Sequence, residues 1–428
     1  MDLLDTLKPG TDPDRPINIV FVGAGAVGCF YASRLHHPTH NIHVSLIARS
    51  NYRALLTSGV HLETHSFGTY TFRPAAVFPD IASAALPPPV GGTITTTTNT
   101  NTNNAAARRA WDYVIVTTKA LPDRNHGDED DAALIAPLVS ADHGTTIVLI
   151  QNGVGVEHPY RARFPRSPIV SAVTVVSAEQ VRMGVVRQNR WTRVSMGAYG
   201  DSAAFDDGGS GSSNSRKGER GAGGEADRDR VRGRAHGGSS SSSSSSTMVD
   251  MAALVDAGTH RARLLADWWG RLGGIRDAEV LSEMALQRVR WHKLCINAAF
   301  NPSAVLAGGR GNADMVLDPE LREHLRGVME EIWAAAPRIL GGKGFEADGD
   351  WKEMARPERI LKSSERNKGA KPSMLVDWES GRPMELEVIL GNPIRIARAK
   401  GVELPRVQTL YALLRSAQMM REKVKGKL

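Results

Sequence analysis

The 428-residue sequence predicts an α/β N-terminal domain, a parallel sheet with helices on both faces, followed by an all-helical C-terminal domain. Three observations carry this. Short apolar runs alternate with helical stretches through the first half of the chain. A glycine turn directly follows the first of those runs. After a serine tract the apolar spacing then changes to a helical period and stays there.

The first element, INIVFVGAGAVG, is a strand running into a glycine turn, and AVGCFYASRLHH continues with helical spacing. HVSLIAR is a second strand, DYVIVTTKA a third and TTIVLIQNGVG a fourth, each apolar run closing on polar residues or glycine. VVSAEQVRMGVVRQNRWTRVSMG alternates over shorter steps and predicts antiparallel strands at the edge of the sheet. Residues 249–310, 317–342 and 384–420 follow with helical periodicity. Two tracts lack any apolar pattern. They are the Thr/Asn-rich insertion 91–107 and the stretch 201–247, which ends in eight consecutive serines, Ser239–Ser246. Neither can bury enough apolar surface to offset the entropy of ordering. The expected organisation is therefore a nucleotide-binding domain over 16–200, a Ser/Gly-rich insertion over 201–247, and a helical domain over 248–428.

Composition narrows the function. Hydrophobic residues make up 41% of the chain, enough for a core in each domain. No apolar run reaches the ~18 residues a membrane-spanning helix requires. The two cysteines, Cys29 and Cys295, offer neither a disulfide framework nor a metal site, which suits a reducing compartment. The N-terminus is acidic, with no signal-like apolar stretch, so the expected location is cytoplasmic. Of the net charge of +7, residues 216–234 hold +3, with seven Arg/Lys against four Asp/Glu. The rest is spread out, a field that attracts small anions rather than a nucleic-acid surface.

Gly23-Ala-Gly25-Ala26-Val27-Gly28 completes G-x-G-x-x-G between a strand and a helix. In that context Gly23 permits the turn, Gly25 lets backbone approach a pyrophosphate, and Gly28 lets the helix pack close to the sheet. A Rossmann-type dinucleotide site is the reading. The second strand ends in Arg49, with Arg53 four residues on, where NAD sites carry an acidic residue. A guanidinium there suits a 2′-phosphate, hence NADPH. Lys119 and Asn152 end the third and fourth strands, at the carboxyl edge where ligands bind in open α/β sheets. In RWHKLCINAAFNPSAV, residues Lys293, Asn297 and Asn301 fall at i, i+4 and i+8, a polar file on an otherwise apolar helix. Such a file is either a seam between domains or one wall of a site. Glu385, among Met384, Leu386, Val388 and Ile389, is read as opening a further helix.

GAGAVG, VTTKA, QNGVG, HKLCINAAFNPSAV and KPSMLVDWESGRPMELEVILG occur here in the order in which they stand in the ketopantoate reductases (2-dehydropantoate 2-reductases), which this sequence resembles outside its two insertions. The resemblance implies a Rossmann domain joined to a helical one, with NADPH in the cleft and reduction of ketopantoate to pantoate for pantothenate synthesis. It implies that Lys293 is the catalytic lysine and Glu385 the glutamate beside the active site. Asn152, Asn297, Asn301 and Ser373 would bind substrate. Gly23, Gly25, Ala26, Val27, Gly28, Arg49, Lys119 and Asn152 would hold the cofactor. A ketone accepting hydride needs a proton or a cation at its oxygen, and Lys293 can supply either. No metal is required. The expected partners are a 2-keto acid and a second copy of the chain, with neither nucleic acid nor membrane.

Two departures from the family pattern bear on the substrate. Ala370 stands where some members place an asparagine, and Glu385-Leu386-Glu387 replaces Glu-x-Asp. They leave open another 2-keto acid as substrate. A non-catalytic NADP sensor is a further alternative, as is an RNA-binding role for 216–234.

Overall fold

The computed structural model describes residues 15–87, 109–122, 130–140, 142, 144–200, 250–341 and 354–425. Both low-complexity tracts lie outside the described residues. Among the described residues ten strands form one sheet: β1 (Ile17–Val22), β2 (Ile42–Ile47), β3 (Val60–Thr64), β4 (Gly68–Phe72), β5 (Val77–Phe78), β6 (Tyr113–Val116), β7 (Thr146–Leu149), β8 (Ile169–Arg182), β9 (Val185–Ala198) and β10 (Ala278–Val280). The order is β4-β3-β9-β8-β7-β6-β1-β2-β5, with β10 paired to β9. From β8 through β7, β6, β1 and β2 to β5 every neighbouring pair is parallel. β1, β2, β6 and β7 are nearly all buried apolar residues, as a sheet covered on both faces demands. Strand order reverses at β1, so the ends of β1, β6 and β7 open onto one crevice.

The antiparallel pair β8–β9 was expected at the sheet edge, but it lies in the interior. β9 pairs in parallel with β3, and the β3–β4 hairpin forms the outer strands on that side. Long strands with one solvated end look alike in sequence whether or not another strand joins them.

The helices that matter below are α1 (Ala26–Ser33), α2 (Met251–Asp267), α3 (Glu283–Leu306), α4 (Pro319–Ile339), α5 (Ser373–Glu379), α6 (Asn392–Ala399) and α7 (Pro405–Lys425). α2 belongs with the sheet rather than with the helical layer. Ala262, Leu265, Trp268 and Trp269 share a core with Phe30, Tyr31, Val194 and Met196. The indole of Trp269 donates to the Tyr31 carbonyl at 3.1 Å. The packing boundary therefore falls near residue 282, after β10, and not at 248. The amphipathic pattern of α2 told which face it buries, not what that face covers. The helical core gathers α3, α4, α5, α6 and α7 around residues such as Trp291, Phe300, Met329, Leu375 and Leu390. It also takes in Ala120, Val154 and Val156 from the sheet side. Among the described residues no helix is long and apolar enough to cross a membrane.

The loop after β7 joins the two layers. Val154 N–H donates to the Val388 carbonyl at 2.9 Å, and Asn392 Nδ2 donates to the Val154 carbonyl at 2.9 Å. Gly153 adopts φ +83°, and a Cβ there would lie 2.1 Å from Val388 O. A side chain at 153 thus faces both left-handed strain and a backbone clash. Gly153→Ala is expected to cost ~2 kcal/mol or more. Gly68→Ala is the control, because its φ is also positive (+71°) but nothing lies within 4 Å. Thermal denaturation should show the larger loss for Gly153→Ala, and equal losses would mean the Val388 contact does not hold the layers together.

Candidate active site

The glycine turn sits at the crevice. Gly23 has φ +111°, and a Cβ there would meet the Thr118 backbone nitrogen at 2.9 Å. Thr117 Oγ1 donates to the Gly23 carbonyl at 2.6 Å, which ties the turn to the end of β6. At Gly28 a Cβ would lie 2.2 Å from Gly23 O, so only glycine lets α1 start this close to β1. Above Gly25 nothing lies within 4 Å of a Cβ position. Gly25 caps α1 without a side chain, leaving the first-turn N–H groups around Ala26, Val27 and Gly28 without a side-chain acceptor. Free space, open N–H donors and the helix dipole fit a dinucleotide pyrophosphate. Arg49 is exposed just past β2, with no ion-pair partner among the described residues, and Arg53 is likewise exposed. Between them Asn51 is buried. It donates to the Ala24 carbonyl at 3.0 Å and to Gln180 Oε1 at 2.8 Å, and so couples this loop to the glycine turn and the β8–β9 hairpin.

Across the crevice, Lys293, Asn297 and Asn301 occupy one face of α3, as the spacing required. Lys293 Nζ donates to Asn152 Oδ1 at 2.9 Å, and Asn152 Nδ2 donates to Glu385 Oε2 at 3.2 Å. An ammonium only donates and a carboxylate only accepts, so the Asn152 carboxamide can take just one orientation between them. Glu385 Oε1 accepts from Ala120 N–H at 3.2 Å. Glu385 stands at the opening of the helix: it is buried immediately before Leu386, the first helical residue, its carbonyl accepts from Ile389 N–H at 3.3 Å, and a single wide turn, Glu387–Gly391, leads into α6. The wide turn adds a residue to the helix and is a recurrent device near functional sites.

The charges in this region are strongly perturbed. Burial, and then the positive charge of Arg290, bring the Lys293 ammonium down to about 8, against the pull of Glu385. Burial raises the Glu385 carboxyl, while Asn152, Lys119 and the Ala120 amide oppose that rise. Lys119, expected at the cofactor, forms an ion pair with Asp377 of α5. Asp377 is buried and also pairs with Arg382 at 3.2 Å. Asp377 carries no mark in the sequence beyond its place four residues after Ser373, which puts it on the same face of α5.

The substrate-side residues divide. Asn301 is buried, and its Oδ1 accepts from Met374 N–H at 3.0 Å and from Ser373 Oγ at 3.3 Å. It thereby caps α5, whose own N-cap residue is Pro372, which has no side-chain acceptor. Its Nδ2 makes no hydrogen bond to a described residue. Asn297 is half-buried and makes no hydrogen bond to any described residue, so its whole carboxamide is available. Ser373 and Ala370 are exposed. Ala370 offers only a methyl group, its carbonyl being taken by Asn312 N–H at 3.0 Å.

Arg290, one turn before Lys293 and fully buried, is a further residue of this region that the expectations from sequence lack. The signal was available: an arginine at i−3 from the lysine shares its face of the helix.

Two family models match the chain, "Ketopantoate reductase PanE/ApbA" over residues 19–201 and "Ketopantoate reductase PanE/ApbA C terminal" over residues 285–418. An uncharacterized protein of Saccharomyces cerevisiae is 26% identical over 426 residues, covering 96% of this chain and 96% of its own. A 2-dehydropantoate 2-reductase of Nostoc sp. is 22% identical, across 92% of this chain and 93% of its own length. The crystal structure of 2-dehydropantoate 2-reductase from Methylococcus capsulatus superposes with a TM-score of 0.63 at 25% identity, covering 95% of this chain and 98% of that one.

Proposed function

This chain belongs to the ketopantoate reductase family of oxidoreductases, and we propose that it is an NADPH-dependent reductase of a 2-keto acid, with 2-dehydropantoate reduced to pantoate as the first reaction to test. The observation that carries the reading is the chain Lys293–Asn152–Glu385 facing the glycine turn across the crevice. The nicotinamide supplies hydride to the carbonyl carbon when bound. Gly25 and the start of α1 hold the pyrophosphate, and Arg49 reads the 2′-phosphate.

The carbonyl oxygen gains negative charge as its carbon is reduced, and it must receive a proton. An ammonium has three N–H donors. Asn152 engages one at Lys293, which aims the others into the cleft. Held near neutral pH by burial, Lys293 can give its proton readily and still be charged before the reaction. Glu385, anchored by the Ala120 amide, stabilises the charged lysine through Asn152. Asn297, Asn301 Nδ2 and Ser373 bind the polar groups of the acid. Ala370 supports a second reading in which the substrate is a different 2-keto acid, since a methyl group cannot hydrogen-bond a substrate hydroxyl.

Oxidation of NADPH with 2-dehydropantoate, beside a panel of other 2-keto acids, tests the activity; silence on every acid with NADPH still bound would favour an NADP sensor instead. Lys293→Ala should lower kcat at least ~100-fold while NADPH affinity stays within ~2-fold. Near-normal turnover in that variant would remove Lys293 from the chemistry. For the wild type, kcat/KM for reduction should be flat below the Lys293 value of about 8 and fall ~10-fold per pH unit above it, as the acid is lost. A profile rising through that pH would make Lys293 a base. Arg49→Ala should raise the NADPH KM ~10-fold or more and leave the NADH KM nearly unchanged. Equal losses for both would show that Arg49 does not read the 2′-phosphate.

A further inference from the structure

We propose that Arg290 is a positioning residue for Lys293: its buried guanidinium fixes the loop that carries Asn152, with Glu157 as its counter-ion. The inference rests on the reading of Lys293 as the proton donor.

Arg290 Nη1 donates to the carbonyls of Gln151 at 3.1 Å and Gly153 at 2.9 Å. These are the two residues flanking Asn152. Nη2 donates to Ser171 Oγ at 2.5 Å and to the Ala172 carbonyl at 3.3 Å, both on β8. Glu157 Oε1 lies 3.4 Å from Nη2 and accepts from Ser171 Oγ at 2.5 Å and from Gln287 Nε2 at 3.4 Å. Side-chain exposures of 3% for Arg290 and 2% for Glu157 leave neither open to water. One turn of α3 therefore grips Asn152 twice. Arg290 holds the backbone on either side of it, and Lys293 holds its side chain. A planar fork suits this task, because its N–H groups reach two carbonyls of one loop and a strand at the same time. A lysine at 290 keeps the charge but cannot span all four acceptors.

The guanidinium also acts on Lys293 through its charge, lowering the ammonium in the same sense as burial. The charged groups around Lys293 are Arg290 on its own helix and Glu385 from the stretch after α5. Beyond Glu385 lie Lys119 from the end of β6 and Asp377 from α5. Behind Arg290 lies Glu157 from the loop after β7.

Arg290→Lys and Arg290→Met test the proposal, each against a melting curve that gives the folded fraction. Arg290→Lys should lower kcat per folded site ~10- to 100-fold, the scale of a small misplacement of a catalytic group, with the NADPH KM within ~2-fold. The basic limb of its pH profile should stay near the wild-type position. Arg290→Met should lower kcat as much and raise the pH at which Lys293 becomes reactive by about one unit. That pH is read without substrate, from trace labelling by acetic anhydride followed by mass spectrometry. A merely structural Arg290 would reduce melting temperature and folded fraction while kcat per folded site and the labelling pH held; that result overturns the proposal. So does wild-type kcat in Arg290→Lys, which decides the matter even where Arg290→Met does not fold. Wild-type protein silent on every 2-keto acid would instead defeat the activity reading, and the labelling shift would still decide whether Arg290 acts on Lys293.

Discussion

The contact on which the site depends is the close passage of one loop, Gln151–Glu157, between the sheet and the helical layer. Its backbone cannot be left unpaired at that depth, because each buried and unsatisfied polar group costs ~1–3 kcal/mol. Arg290 takes the carbonyls of residues 151 and 153, Val388 takes the Val154 N–H, and Asn392 takes the Val154 carbonyl. The side chains of Val154 and Val156 complete the helical core from outside it. Glycine at 153 is what permits the approach. The two layers thus meet at the segment that also presents Asn152, so the relative placement of glycine turn and lysine is set by packing rather than by a flexible join.

Around that loop the charges come in facing sets, Arg290 with Glu157, Lys293 with Glu385 through Asn152, and Lys119 and Arg382 with Asp377. All three carboxylates are buried, so each needs its partner: removing one member of a buried pair costs ~3–5 kcal/mol. The sets are not equivalent. Arg290 is fully enclosed and forked, which suits it to holding structure. Lys293 has its carboxylate at one remove, across a carboxamide, and feels the repulsion of Arg290. An ammonium held that way is less strongly stabilised than one in direct contact with a carboxylate, and its proton is correspondingly easier to transfer.

Much of this arrangement was legible in sequence because it rests on local rules. A strand running into G-x-G-x-x-G fixes a turn and a helix start. A polar file at i, i+4 and i+8 fixes a helix face, and both stand where the spacing put them. The illegible parts depend on partners distant in the chain. Whether β8 and β9 lie inside or at the edge is decided by β3, more than a hundred residues earlier than the far end of β9. The helix Met251–Asp267 carries an apolar face that either layer could have covered. Arg290 resembles any helical arginine until the loop carbonyls and Glu157 are brought to it. The wide turn at 387–391, just inside the helix that Glu385 opens, is a distortion that periodicity does not reveal.

The polar residues of α3 also differ in what each already binds. Its upstream turn, with Arg290 and Lys293, is locked to the loop and the glutamate. Its downstream turn is bound to α5 through Asn301, whose oxygen caps that helix and so cannot also accept from a ligand. Only Asn297, between the two, keeps a carboxamide with no protein partner among the described residues. On this face the Asn297 carboxamide and the Asn301 amide are the groups left open to a further partner among the described residues. The polar file on an apolar helix thus divides along one face into an end held by the loop, a middle with no protein partner among the described residues, and an end that caps α5.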